Sequence, residues 1–180
     1  MARKGFDIVA EIEPLRRYAR ILTRDEEAAD DLVQATFVRA FERRSSFRDG
    51  SNVRVWLMSV MHNLFIDRTR SARAAQAREK AWAELKPVFA NPEGEAAARL
   101  MQLRAAFLSL PRDQREALHL VSVEGLSVAE AGAILAIPVG TVMSRVGRAR
   151  AALRNFEDRN AELSRPRNLR LVRGGHDTER

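Results

Sequence analysis

Apolar residues recur along this chain at three- and four-residue spacing in two blocks, and the pattern lapses between Ser71 and Arg99. That spacing is the signature of helices with one buried face, and no segment shows the alternation of a half-buried strand. In the first block, Thr23-Arg24-Asp25-Glu26 has the form of a capping box, in which two side chains satisfy each other's orphan backbone N–H groups. Behind it Ala28, Ala29, Leu32, Val33, Thr36, Phe37, Ala40 and Phe41 make one stripe. Upstream, Leu15, Ala19 and Leu22 form a shorter stripe, with Pro14 in its first turn and a further helical turn or two over residues 6–12. After the polar loop Asp49-Gly50-Ser51-Asn52, a third helix lines Trp56, Leu57, Val60, Met61, Leu64 and Phe65 along one face, with Ser59, Asn63, Asp67 and Arg70 on the other.

Residues 71–99 are rich in Ala, Arg and Glu and contain the breaker Asn91-Pro92-Glu93-Gly94, so they read as a linker. The second block opens on Leu100, Leu103, Phe107 and Leu110. Pro111 starts a helix carrying Leu118 and Val121 that ends at Gly125. Ser127-Val128-Ala129-Glu130 is another capping box, Ala136-Ile137-Pro138 a break, and a last helix runs from Val139 to about Phe156. The expected fold is all-α, two small helical domains joined by a flexible linker. The expected division is a first domain over 6–72, a linker over 73–98, a second domain over 99–157 and a flexible tail over 158–180.

Composition narrows the function. The 180 residues contain no Cys, which removes thiol chemistry, disulfides and cysteine zinc sites. His62, His119 and His176 are scattered without ligand spacing, and Glu26-Glu27 and Asp30-Asp31 are adjacent pairs rather than a converging acid and base. There is no P-loop or dinucleotide fingerprint. No metal, cofactor or catalysis is therefore expected. The N-terminus turns acidic at Asp7 before any apolar core forms, so no signal peptide is expected, and no run of about 18 apolar residues predicts membrane insertion. The net charge of +7 divides as +4 over 1–80, −1 over 81–100, +3 over 101–155 and +1 beyond. A polyanion is an evident partner, although basic proteins have other uses.

Two short helices at 127–135 and 139–156, joined by a three-residue turn, have the proportions of a helix-turn-helix. Leu126, Ile134, Ile137, Val142 and Val146 would form its shared core. The second helix carries Thr141, Ser144, Arg145, Arg148 and Arg150 and no acid before Glu157. A helix N-terminus docks on phosphate, and Arg reads phosphates or guanine edges. A structural hairpin with a solvated basic face has the same pattern.

The second block, from Leu110-Pro111 through Glu116, Glu124-Gly125-Leu126-Ser127 and Glu130-Ala131 to Ile137-Pro138-Val139-Gly140-Thr141-Val142-Met143-Ser144-Arg145-Val146 and Arg148-Ala149-Arg150, resembles domain four of extracytoplasmic-function sigma factors of the sigma-70 family. In the first block, Asp30-Asp31-Leu32-Val33-Gln34 with Thr36-Phe37 resembles the family's core-polymerase-binding helix. Phe47-Arg48, Trp56-Leu57, Asn63, Asp67 and Arg70 resemble its promoter-melting and −10 region. The resemblance implies that Asp30, Asp31 and Gln34 face the clamp helices of the polymerase β′ subunit, where the residues alone read as a solvated acidic face. It implies that the loop from Phe47 to Val53 holds a flipped base, with Phe47 as a wall, Asn63 reading an edge, and Arg48, Asp67, Arg68, Arg70 and Arg73 nearby. In the second domain it implies that Met143, Ser144, Gly147 and Arg148 face the −35 groove, with Thr141 and Arg145 near phosphates. Gly132 and Ala136 stand where the family more often has Ala and Gly.

The same resemblance implies partners: core RNA polymerase through the β′ clamp helices and the β flap, promoter DNA, and a cognate anti-sigma factor. The free chain would be a cytoplasmic monomer. A helix-turn-helix repressor that dimerises through residues 6–70 is the rival, and a small helical hydrolase a distant third.

Overall fold

The computed structural model describes residues 8–48, 50–76 and 95–164, and every regular element among them is helical. A 3₁₀ turn, Val9–Glu11, runs into α1 (Ile12–Thr23), with Pro14 in its first turn. Arg24, left-handed at φ 61°, ends α1. Helix α2 (Glu26–Glu42) is capped by Asp25, whose carboxylate accepts the Ala28 N–H at 2.7 Å. This corrects the capping box expected at Thr23. That residue closes α1 instead, its hydroxyl donating to the Ala19 carbonyl at 3.0 Å, and the left-handed reversal at Arg24 hands the cap to Asp25.

A 3₁₀ turn over Arg44–Ser46 leads into the loop before α3 (Val53–Gln76). Gly50 has φ +87° in a turn closed by Ser51 N–H to the Arg48 carbonyl at 3.0 Å, a conformation that favours glycine. Asn52 caps α3, its Oδ1 accepting from Arg54 N–H at 3.1 Å. The buried face of α3 is broader than its stripe: Leu57, Met58, Val60, Met61 and His62 are buried, and Trp56, Leu64 and Phe65 are half-buried. The breadth arises because α3 is packed on two sides, by α1 and α2 and by a helix of the second half.

The second half comprises α4 (Glu95–Ser109), α5 (Arg112–Leu118), a single π-helical turn (His119–Val123), α6 (Val128–Leu135) and α7 (Val139–Ser164). Helix α4 begins four residues ahead of the expected domain start at 99. Its Leu100 and Leu103 are 67% and 38% exposed, not core as their spacing suggested. Helix α7 runs through residues 158–164, where a flexible tail was expected, because no Pro or Gly interrupts the chain before Pro166. Of the expected linker over 73–98, residues 73–76 belong to α3 and 95–98 to α4, while 77–94, like the chain beyond Ser164, lie outside the described residues.

The turn between α6 and α7 explains the exchanged Gly and Ala. Ala136 adopts the left-handed conformation at φ 53° and gives its N–H to the Gly132 carbonyl. A Cβ on Gly132 would stand 3.0 Å from the Ile137 carbonyl oxygen, a backbone atom. The missing side chain at 132 is thus what lets the turn close. Gly132→Ala is expected to lower stability by about 1–3 kcal/mol through overpacking. Ala136→Gly should raise it by about 1 kcal/mol by relieving the left-handed residue. Thermal melting of the two variants checks both signs, and a fall in Tm for Ala136→Gly would contradict this account.

The cores of the two halves meet. Leu15, Tyr18, Leu22, Leu57 and Met61 belong to the same buried cluster as Leu110, Leu118, Leu120, Ile134 and Val142. Helix α3 packs on α6, and α1 packs on α5 and the π turn.

Candidate nucleic-acid interface

Helices α6 and α7 meet at 102°, within the range of a helix-turn-helix. Ser127 and Glu130 form the expected capping box, with Glu130 N–H to Ser127 Oγ at 3.2 Å and Ser127 N–H to Glu130 Oε2 at 2.9 Å. Leu126, Ile134, Val142 and Val146 are buried and Ile137 is half-buried, as the shared core requires.

At about 100° per residue, Val142, Val146, Ala149 and Leu153 occupy one arc of α7, and Met143, Ser144, Gly147 and Arg148 occupy the opposite one. The first set packs into the core and the second is exposed, Met143 at 57%. Thr141 is half-buried. The flanking arginines are engaged: Arg145 Nε pairs with Asp113 of α5 at 3.3 Å, and Arg150 donates to Ser122 Oγ at 3.2 Å. Arg148 makes no ion pair among the described residues. It is the exposed cation of this arc.

On α3, Asn63, Asp67 and Arg70 share one exposed face, and Arg68 is exposed on a different arc of the helix. The side chain of Arg73 lies outside the described residues, as does Asp49 of the loop. Phe47 is half-buried, its ring 5.2 Å from that of Trp56 in an edge contact, so Trp56 stiffens the wall that Phe47 presents. Arg48 is exposed.

On α2, Asp31 and Gln34 are exposed, while Asp30 is half-buried and accepts from Arg16 Nε at 2.9 Å. Val38 and Phe41 continue the Asp31–Gln34 face at helical spacing and are 61% and 73% exposed. Phe41 is therefore a correction to the buried stripe. Periodicity marks a face without saying whether anything covers it. A second apolar surface is a groove of about 520 Å³ lined by Leu100, Leu103, Phe107, Leu118, Val123 and Leu153, together with Arg104, Arg150, Arg154 and Glu157.

A buried polar network escaped the sequence reading. Glu124 has a fully buried side chain that accepts from Arg17 Nε and Nη2, both at 2.9 Å. The π turn brings His119 beside it, Nε2 to Oε1 3.3 Å, and stacks that ring on Tyr18 with centroids 5.8 Å apart. Burial would raise the Glu124 carboxyl, but the close approach of His119 and the two hydrogen bonds from Arg17 outweigh it and hold the group down at about 2. Tyr18 Oη lies 3.1 Å from His62 Nδ1. His62 also faces Glu116 at 3.6 Å. His62 and His119 are thus joined through the chain's one tyrosine rather than scattered.

Residues 8–62 match the family model described as the Sigma2 domain of PhyR, and residues 100–153 match Sigma-70, region 4. The ECF RNA polymerase sigma factor EcfG of Rhodopseudomonas palustris is 40% identical over 148 residues, covering 82% of this chain and 81% of that protein. This chain belongs to the ECF sigma factors. Among solved structures, the sigma factor RpoE in complex with the anti-sigma factor NepR from Bartonella quintana is similar at TM-score 0.72 and 32% identity, covering 84% of this chain and 94% of that one. CnrH in complex with the cytosolic domain of CnrY is similar at TM-score 0.60 and 29% identity, covering 85% of this chain and 86% of that one.

As an alternative sigma factor, the chain has no need of a dimerisation domain at 6–70, and the repressor reading is not favoured. No single helix among the described residues is long and apolar enough to cross a membrane.

Proposed function

We propose that this sigma factor holds core RNA polymerase through Asp30, Asp31 and Gln34 of α2 and through the groove between α4 and α7. The exposed Val38 and Phe41 extend the first surface, whose acids and apolar patch suit the β′ clamp helices. The groove, mostly apolar with three arginines against one glutamate in its lining, suits the β flap. The domain over 6–72 captures and helps melt the −10 element through Phe47, Arg48, Asn63, Asp67, Arg68 and Arg70. The domain over 99–157 reads the −35 duplex through Met143, Ser144, Gly147 and Arg148, with Thr141 and Arg145 toward phosphate. Joining two weak sites by a tether raises the effective concentration of the second once the first is bound. The chemistry of transcription stays with the polymerase, and no cofactor is assigned. A cognate anti-sigma factor is the expected regulator, and the cytoplasm, where polymerase and DNA are, the expected compartment.

The observation that carries the −35 assignment is the placement of Met143, Ser144, Gly147 and Arg148 opposite the buried arc of α7. Purified chain with core polymerase and fragmented genomic DNA from its own source should start transcription at specific promoters only when both proteins are present. Arg148→Ala should weaken binding to the −35 duplex by about 1–3 kcal/mol if it reads a base. Asp31→Arg should impair core binding and leave −35 binding intact. Wild-type behaviour of both variants would overturn the residue assignments, and no core-dependent initiation would overturn the function.

A further inference from the structure

Reversible oxidation in this chain falls to methionine, because there is no thiol to take it first. Of the five methionines, Met1 lies outside the described residues, Met58 and Met61 are 0% exposed in the core, and Met101 on α4 is half-buried. Met143, near the start of α7, is 57% exposed. Its surroundings are open as well. Gly140 and Gly147, three residues before it and four after, share its side of the helix, and a Cβ at either would meet nothing within 4 Å. Val139, one turn earlier, is exposed too and extends the apolar surface. Met143 thus presents an uncovered thioether on the face of α7 turned away from the core.

A thioether sulfur is polarizable and open to oxygen transfer. The Met143 Sδ lone pair attacks one oxygen of hydrogen peroxide, the O–O bond breaks and hydroxide leaves. The hydroxide takes the proton from the new S–OH group, which leaves sulfoxide and water. Sulfur has lost two electrons and the peroxide has gained them. The product exchanges a pliable apolar side chain for a polar, chiral one. In the core that change would disrupt packing, but Met143 has no cover to disturb, so the fold should survive it. The altered property is the surface. An apolar side chain there suits the 5-methyl group of thymine in the major groove. A sulfoxide set against that methyl gives up its water for no hydrogen bond.

We propose that Met143 is a reversible oxidation site: it takes one oxygen from a peroxide-class oxidant, its sulfoxide form holds −35 DNA less tightly, and a thiol-dependent sulfoxide reductase returns the oxygen as water. The weakened hold rests on the −35 reading above, whereas the oxidation site itself does not.

In the test, the whole chain is treated with hydrogen peroxide, the excess is removed with catalase, and untreated core polymerase is then added. Peptide mass mapping at successive times should show Met143 gaining one oxygen first, ahead of Met101 and well ahead of Met58 and Met61. With Met143 oxidised, binding to the −35 duplex of a promoter that the chain selects from genomic DNA should weaken by about fivefold or more. Core binding and thermal melting should stay unchanged. The two epimer-specific methionine sulfoxide reductases together should restore the binding. Met143→Leu keeps the apolar surface without the sulfur, so peroxide should leave its −35 binding at that variant's own untreated value. Met101→Leu should lose binding on treatment as the wild type does. Oxidation of Met143 no faster than of the buried methionines would overturn the site. An equal loss in Met143→Leu, or no loss in the oxidised wild type, would overturn the weakened hold. Failure of the untreated chain to support core-dependent initiation would instead count against the sigma reading, and the mapping would still decide the oxidation.

Discussion

Arg115→Ala is expected to cost about 3–5 kcal/mol of folding stability, the largest loss from any single polar side chain here. Arg115 is 2% exposed, yet its guanidinium makes three bonds to main-chain oxygens. Nη1 donates to the Leu108 and Leu110 carbonyls at 3.2 and 2.9 Å, and Nε donates to the Ile21 carbonyl at 3.2 Å. Leu108 belongs to the last turn of α4 and Ile21 to the last turn of α1, where carbonyls lack helical partners. One cation thus caps two helix C-termini, one from each half, against the negative ends of both dipoles. Burial, with Arg24 nearby, lowers the guanidinium to about 10, so it remains charged at neutral pH. Alanine removes the donor from three carbonyls, one bond buried and two part-buried, and leaves a void besides. Lysine keeps the charge but not the planar fork, and should recover only part of the loss. Urea denaturation of the two variants measures this. A loss below about 1 kcal/mol for alanine would show that water or a rearrangement satisfies the carbonyls.

The features legible in the sequence are the ones encoded within a few residues. The Ser127–Glu130 box is a four-residue device, and the opposed arcs of α7 follow from the helical repeat alone, so the helix-turn-helix could be read directly. The Thr23 box failed by two residues because a left-handed Arg24 leaves no mark in composition. Leu100, Leu103 and Phe41 kept their spacing but lost their burial, since a stripe predicts a face and not its cover. The seam was out of reach altogether. Arg17 and Glu124 are 107 residues apart, and His119 meets Glu124 only because a π turn brings residues five apart together. A two-domain pattern with a linker predicts separable halves. Only three-dimensional packing shows that they share a core, with the Arg17–Glu124 pair bridging them.

Acid should destabilise the folded chain well before general acid denaturation, with His62 as the first cause. Burial and the nearby Arg112 lower its imidazole to about 4 from an ordinary 6.5. Burial, then the neighbouring Glu116, keeps the Tyr18 hydroxyl protonated, so a proton is available for its hydrogen bond with the neutral His62 ring at 3.1 Å. The unfolded chain binds a proton at this residue from pH 6.5 downward, while the folded chain resists until about 4. Stability from His62 is therefore complete above pH 6.5 and lost as pH falls toward 4, by about 2 kcal/mol between pH 7 and 5. Glu116 opposes part of this. Its burial raises the carboxyl, so the folded state takes up its proton earlier than the unfolded one. Glu124 acts later: held at about 2 against 4.5, its contribution is present above pH 4.5 and disappears as pH falls toward 2. Urea midpoints at pH 7, 6 and 5 should decline for the wild type and decline much less for His62→Gln, which retains an acceptor for Tyr18 without the titration. Parallel declines in the two proteins would assign the acid sensitivity elsewhere.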